Sequence, residues 1–299
     1  MKTTRKISEL IEKSSFVTAA NEPEYSPHFE PVRQLMLDYG ATRVSRASEF
    51  GKTDELWQGD CFDPMQPNEQ AVSVYLRVGH SGALVAELTC SCIARALQLP
   101  TPDVFIVTIP PGRLPGSGMV KNGQAVVCVA TRDIGGSTFA QLLNDDGDAA
   151  ILLLRHWPEL GKVVAFDEWM ANLDRNLSNL IYVAQTLHII DHAEALGGSH
   201  RALFPLSELT HQQFSNKLAG ILNVFDASNR SDMLTQISKW LSDNAAALNI
   251  AEMIQNAGTG RWNTPEENQE LIDFISQRLT ITHAMLCRRL GHPQLVLPA

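Results

Sequence analysis

The spacing of apolar positions divides the chain into three stretches. Over residues 1–39 apolar side chains recur every three to four positions in two short runs, 7–13 and 30–37, on either side of a polar stretch that contains Pro23 and Pro27. This predicts an N-terminal helical extension. From Gly40 the period shortens. Residues 41–48 and 71–78 (AVSVYLRV) mix small, β-branched and aromatic side chains as half-buried strands do, while 103–109 (DVFIVTI) and 125–130 (AVVCVA) are apolar runs too short for helices. Ser81 and Gly82 open a helix that runs to Leu97 and stops at Leu99-Pro100-Thr101-Pro102. Residues 40–132 therefore predict a small antiparallel sheet with one long helix packed on it. Beyond Asp133-Ile134-Gly135-Gly136 the helical period returns, over 137–143, 148–155, 163–170, 207–222, 228–248 and 264–289. The last of these is marked by Thr264 as cap, Pro265 at the first helical position, and Glu266 and Glu267 in the first turn. Two short apolar pieces, 180–183 and 188–190, sit between these helices and predict a β-hairpin. The fold class is α+β, with an α-rich unit over residues 133–299.

Composition narrows the possible functions. With 44% hydrophobic and 19% charged residues among 299, the chain has apolar material for one large domain or two lobes. No apolar run approaches the roughly 18 residues of a membrane span, so no membrane partner is expected. The basic N-terminus is not followed by the apolar core of a signal peptide, and the expected location is cytoplasmic. A net charge of −9, with Lys and Arg scattered, argues against nucleic acid as a directly contacted primary ligand. Cys61, Cys90, Cys92, Cys128 and Cys287 are odd in number and read as reduced thiols. Cys90 and Cys92, one residue apart on the predicted helix, point away from each other and do not form a metal clip.

The chemistry concentrates in FDEWMANLDRNLSNLIYVAQTLHIIDHAEAL, residues 166–196. It places Asp174 and Asn179 five residues apart in a loop after a helix, then the hairpin, then Asp191 at the end of an apolar strand. An Asp and an Asn in a loop are ordinarily turn and cap residues. A second Asp after a hairpin changes that reading, because phosphoryl transfer needs one carboxylate to orient the attacking hydroxyl and hard oxygen ligands for magnesium on the triphosphate. Kinases use this spacing in their catalytic and metal-binding loops.

The run resembles the HipA-like kinases, most closely their short stand-alone members, whose core reads approximately F-D-x-W-x-x-N-x-D-R-x-x-x-N followed by I-D-H. Phe166, Asp167, Trp169, Asn172, Asp174, Arg175, Asn179, Ile190, Asp191 and His192 match in that order. More broadly it is similar to the protein-kinase-like superfamily that includes the phosphatidylinositol kinases. The resemblance implies a bilobal protein-kinase-like fold, with an N-lobe over 40–132, a C-lobe over 133–299, and ATP and Mg2+ as cofactors. It implies Asp174 as base, with Asn179 beside it, and Asn179 and Asp191 as magnesium ligands. Gly40 and Thr42 lie where the family has a short phosphate loop, although Gly40 reads equally well as a helix C-cap. Arg77 stands where the family has Lys, to hold the α and β phosphates, and Glu87 lies on the helix whose acid pairs with that cation. Arg is longer and fixed in charge, so the exchange is not neutral. The adenine is expected against Val127–Ala130. Phe166 and Trp169 read as core, His192 as a loop-ordering hydrogen bond, Arg175 as a charge beside the loop, and Asn172 as a loop or helix-end residue. The implied activity is an ATP-dependent serine/threonine protein kinase, with a protein substrate or a toxin–antitoxin type of regulatory partner. The alternatives are a pseudokinase or nucleotide-binding interaction module, and a lipid kinase or nucleotidyl transferase.

Overall fold

Strand alternation in the N-terminal half separates two cores, and the computed structural model, which describes residues 30–45, 54–120, 123–222 and 227–291, shows how. The strands are β1 (Gln34–Leu37), β2 (Thr42–Ser45), β3 (Glu55–Phe62), β4 (Val72–Val78), β5 (Val104–Ile109) and β6 (Val126–Arg132). They form one sheet in the order β1-β5-β6-β4-β3-β2, and β1 also pairs with β3. That extra pairing closes five strands into a small barrel, with β2 hanging from β3 outside it. The barrel interior holds Leu35, Leu37, Trp57, Val74, Leu76, Phe105, Val107, Cys128 and Ala130. Closure removes the free edges of those five strands. The opposite face carries Leu56 opposite Arg77 and Tyr75 opposite Gln58 and Thr131. This outer face looks toward the second half of the chain.

One long helix, α1 (Ser81–Ala96), packs on that outer face and is buried continuously from Leu84 to Ala94. It is flanked by the sheet on one side and the second lobe on the other, so even Glu87, Thr89 and Ser91 are enclosed. The α-rich half contains the short strand β7 (Ser137–Thr138) and the helices α2 (Phe139–Asp145), α3 (Gly147–Arg155) and α4 (Leu160–Trp169). It continues with the hairpin β8 (Leu180–Val183) and β9 (Thr186–Ile189), then α5 (Leu206–Leu209), α6 (Lys217–Ile221), α7 (Ala227–Trp240), α8 (Ile250–Ala257) and α9 (Pro265–Arg289). The Thr264–Glu267 capping box starts α9 as expected. Buried Arg278 on α9 donates to the carbonyls of Glu168 and Trp169, and to those of Thr210 and Gln212, tying the end of α4 in place. Burial lowers its pKa to about 10.

Several elements differ from expectation. Residues 34–37 are a strand and not the end of a helix, because QLML buries Leu35 and Leu37 alternately while pairing parallel to β5 and antiparallel to β3. Tertiary pairing overrides local spacing here, and it adds one parallel pair to an otherwise antiparallel sheet. The helix expected at 7–13 lies outside the described residues. Strand β3, ELWQGDCF, has no regular alternation of apolar and polar residues, since Glu55 is buried with Trp57 and Cys61, and the spacing does not predict it. The single helix expected over 207–222 is two short ones, α5 and α6. The helix expected over 228–248 ends at Trp240 and continues as a π-turn, Leu241–Ala245. Helix α8 was missed, although Asn249 caps it and Gly258 ends it in the left-handed conformation.

Candidate active site

The loop after α4 is built on a buried pair. Asp167, near the end of α4, and Arg175 are both fully enclosed, and Arg175 Nε lies 3.2 Å from Asp167 Oδ2. Asn172 Nδ2 donates to Asp167 Oδ1 at 2.9 Å. The remaining nitrogens of Arg175 donate to the carbonyls of Asn179 and Ile190 and, at 2.9 Å, to His192 Nδ1. Arginine can only donate, so Nδ1 is the acceptor and the imidazole is neutral with its proton on Nε2. Burial, reinforced by the charges of Arg175 and Arg77, holds the His192 pKa well below its ordinary value. One guanidinium thereby fastens the loop after α4 to the segment after β9. The expected roles of His192 and Asn172 as loop-ordering groups match these contacts. Arg175 is an enclosed pillar with no surface for a ligand. Phe166 and Trp169 are core, Trp169 donating to the Ile275 carbonyl at 2.8 Å.

On this scaffold the acidic residues come together. Asn172 Oδ1 accepts the Asp174 N–H, and Asn179 Nδ2 donates to the Asp174 carbonyl at 2.7 Å. The Ile190 N–H donates to the Asn179 carbonyl at 3.1 Å, so the Asp174 loop and the Asp191 segment share Asn179. Asp191 takes a left-handed backbone (φ 58°), unusual for a residue with a side chain though tolerated by Asp. Its Oδ1 accepts from Arg77 Nη2 at 2.7 Å. Burial pushes the Asp191 carboxyl up, but the charge and hydrogen bond of Arg77 outweigh it and hold the carboxyl below its usual range.

Arg77 reaches this point from β4 and is bonded also to Asp54, at 3.2 Å. Asp54 fits only because Gly79 has no Cβ; one would lie 2.0 Å from its Oδ1. The expected Arg77–Glu87 pair is a long contact, 4.0 Å. The Glu87 carboxylate instead accepts the His192 N–H at 2.7 Å, which ties α1 to the segment after Asp191. Burial raises the Glu87 pKa against the pull of Arg77.

Between the lobes lies a cavity of about 250 Å³, lined by Tyr75, Arg77, Asp133, Gly135, Ile181 and Asp191 among others. The end of β6 and the linker after it, residues 131–136, line it, immediately beyond the 127–130 stretch expected to face the adenine. Val127 and Ala130 do not line it: Ala130 faces the barrel interior and Val127 packs on the core beneath the sheet. Gly136 lets the linker press against β8, where a Cβ would come 2.5 Å from the Tyr182 carbonyl. Thr42 stands opposite Gln58, on the face that bears Tyr75 and Arg77, but neither it nor Gly40 lines the cavity. The N–H of Ala41, next to Gly40, is bonded to the Arg113 carbonyl.

Three features went unseen in the sequence. Asp54 gave no local signal. The cavity-lining linker was noticed only as a break between patterns. Lys217, at the start of α6, places Nζ 2.5 Å from Asp174 Oδ1, and nothing in its neighbours marks it.

A strand barrel and a helical half on either side of one cavity make a bilobal, kinase-like α+β fold. The sequence model for HipA-like kinases matches residues 76–255, more than half of the chain. The chain belongs to the HipA-like kinase family. Among solved structures it is similar to the Helicobacter pylori proinflammatory kinase CtkA, at 12% identity and a TM-score of 0.49, covering 80% of this chain and 92% of that one. It is also similar to HipA of a Shewanella oneidensis MR-1 toxin–antitoxin system, solved with HipB and operator DNA, at 13% identity and a TM-score of 0.41, covering 98% and 72%. No curated protein matches it by sequence. No helix among the described residues is long and apolar enough to cross a membrane.

Proposed function

We propose that the interlobe cleft binds magnesium-ATP and transfers its γ-phosphate to a hydroxyl of a protein serine or threonine. The observation that carries this is the sharing of Asn179 by the Asp174 loop and the Asp191 segment, with Arg77 joined to Asp191 from the other lobe. Among the described residues there is no group of three or more acidic, His or Cys side chains suited to a metal. The donor set, one carboxylate and one amide oxygen, instead fits magnesium that arrives with phosphate oxygens and keeps its waters. Asn179 and Asp191 would hold it, and when bound it neutralises charge on the transferring phosphoryl group.

Asp174 orients the acceptor hydroxyl and takes its proton as the acceptor oxygen bonds to Pγ and the bond to the ADP oxygen breaks. Arg77 holds the α and β phosphates, and the linker 131–136 reads the adenine edge. Positioning and charge supply most of the rate. A protein acceptor is favoured over a lipid headgroup by the net charge of −9 and by an exposed apolar pair, Leu203 and Phe204, downstream of Asp191. The buried state of all five free cysteines suits a cytoplasmic protein.

One observation favours a second reading, nucleotide binding without transfer: both terminal nitrogens of Arg77 are already bonded, to Asp54 and Asp191. Calorimetric titration with ATP, with and without magnesium, on wild type and Asp191→Ala, tests the primary reading together with mass analysis of the products. Magnesium-dependent binding lost in Asp191→Ala, with ADP and a phosphorylated acceptor formed, supports it. Binding with no product supports the second reading. Adenylated product, or no binding, contradicts both.

A further inference from the structure

Three cations surround the acidic residues of the cleft, and they differ in what they can reach. Arg175 is fully enclosed, with its donors bound to protein groups. Arg77 approaches from the barrel, on the side of the α and β phosphates. Lys217 alone of the three has a half-exposed head group, 2.5 Å from Asp174 Oδ1, while Asp174 Oδ2 accepts from Asn176 Nδ2 at 3.1 Å.

The backbone under Lys217 is fixed from within. Asn216 caps α6 through Oδ1, accepting the Ala219 N–H at 3.0 Å, and its Nδ2 donates to the Val164 carbonyl and to Glu168 Oε2 at 3.1 Å. Glu168, 2% exposed, receives both arms of Arg289 at 3.0 and 3.1 Å. A chain of polar groups, part-buried at Arg289 and buried at Glu168 and Asn216, thus runs from α9 through α4, the helix of the sequence motif, to the residue before Lys217. An exposed ion pair by itself contributes little to stability, so an anchor of this kind is better explained by a need to place the ammonium group.

We propose that Lys217 is a positioning residue of phosphoryl transfer. It holds the Asp174 carboxylate toward the acceptor and supplies positive charge on the acceptor side of the γ-phosphate. This rests on the reading of Asp174 as the group that receives the acceptor proton. The acceptor oxygen bonds to Pγ as the bond to the ADP oxygen breaks, the acceptor's proton passes to Asp174, and Lys217 keeps its proton throughout.

The test is steady-state ATP turnover, with water or the protein's own hydroxyls as acceptor, by wild type, Lys217→Met and Lys217→Arg, beside the Kd for magnesium-ATP. Loss of one charged donor aimed at the transition state should lower kcat in Lys217→Met about 100-fold. A group that acts only in the transfer step should leave Kd within roughly threefold of wild type. Lys217→Arg, which keeps the charge, should recover most of the lost rate. A Lys217→Met protein with kcat within about twofold of wild type overturns the inference and leaves the Asp174 reading standing. Equal losses of kcat and binding, with no rescue by Arg, show a structural role and overturn it too. A wild type without turnover removes the Asp174 reading itself.

Discussion

Arg175 bonds the two residues that flank Asp191, Arg77 bonds the Asp191 carboxylate, and the pair shows how differently one residue type is used. Arg175 is 0% exposed and answers one fully buried acid, two carbonyls and a neutral imidazole. Arg77 is 16% exposed and lies among three carboxylates, Asp54, Asp191 and Glu87, contributed by both lobes. Burial works to lower its pKa, and those three charges more than offset it, so the group is firmly cationic. The first arrangement fixes the backbone that presents Asp174, Asn179 and Asp191. The second leaves a charge at the mouth of a cavity, where phosphate oxygens can compete with Asp54 and Asp191 for its donors. On the proposed reading, Arg175 builds the site and Arg77 acts in it.

The largest expected effect is on the builder. Arg175→Ala leaves Asp167 buried without its cation and should cost about 3–5 kcal/mol of stability, read as a lowered chemical-denaturation midpoint or an insoluble product. If the variant melted like wild type, the pillar role would be wrong. The effect on Arg77 should fall instead on ligand binding. Arg77→Met should weaken magnesium-ATP by at least about 10-fold while destabilising the fold less than Arg175→Ala does, because its environment is part-open. Arg77→Lys then sharpens the contrast: if charge matters more than the two-pronged geometry, at least about a tenth of wild-type turnover should remain. Denaturation, titration calorimetry and an ATP-turnover assay on the same preparations check the three in turn.

A carboxylate beside Asp54 in sequence but bonded to neither arginine, Glu55, gives the smallest effect and a control on pH. Burial would raise the pKa of Glu55, but the hydrogen bonds from Ser117, Gly118 and Trp57 outweigh it and hold the carboxyl below its ordinary value of 4.5. Because the folded value is the lower one, Glu55 stabilises the fold above about pH 4.5, and that contribution is lost as pH falls toward the folded value. Glu55→Gln should cost about 1 kcal/mol at pH 7 and flatten the acid limb of stability. Melting curves between pH 3 and 7 would show it, and an unchanged slope would count against the bonded carboxylate.

The sequence was legible where local rules and global packing agree. Strand β4 alternates, α1 has clear ends, and α9 carries a capping box, so each could be read directly. The acidic constellation was legible because its members lie within one segment and its spacing is specific. Strand β1 was misread, since four residues of QLML satisfy either period and only pairing with β3 and β5 decides. Asp54 and Lys217 carry no local signature: Asp54 is placed by the room that Gly79 leaves and Lys217 by the Asn216 cap, and each meets a partner, Arg77 or Asp174, that lies far from it in sequence. The apolar run 125–130 marks strand β6 but not the cavity, which is lined by the less apolar end of that strand and the residues after it, Thr131 to Gly136.

On the proposed reading Asp174 acts in transfer while Asp191 acts in metal-assisted binding. Magnesium-ATP turnover and affinity of Asp174→Ala and Asp191→Ala, measured against wild type, test it most directly. The account predicts that Asp174→Ala binds magnesium-ATP normally yet loses turnover by about 1,000-fold or more. Asp191→Ala should lose the dependence of binding on magnesium. Wild-type turnover in Asp174→Ala, or magnesium dependence undiminished in Asp191→Ala, would contradict it.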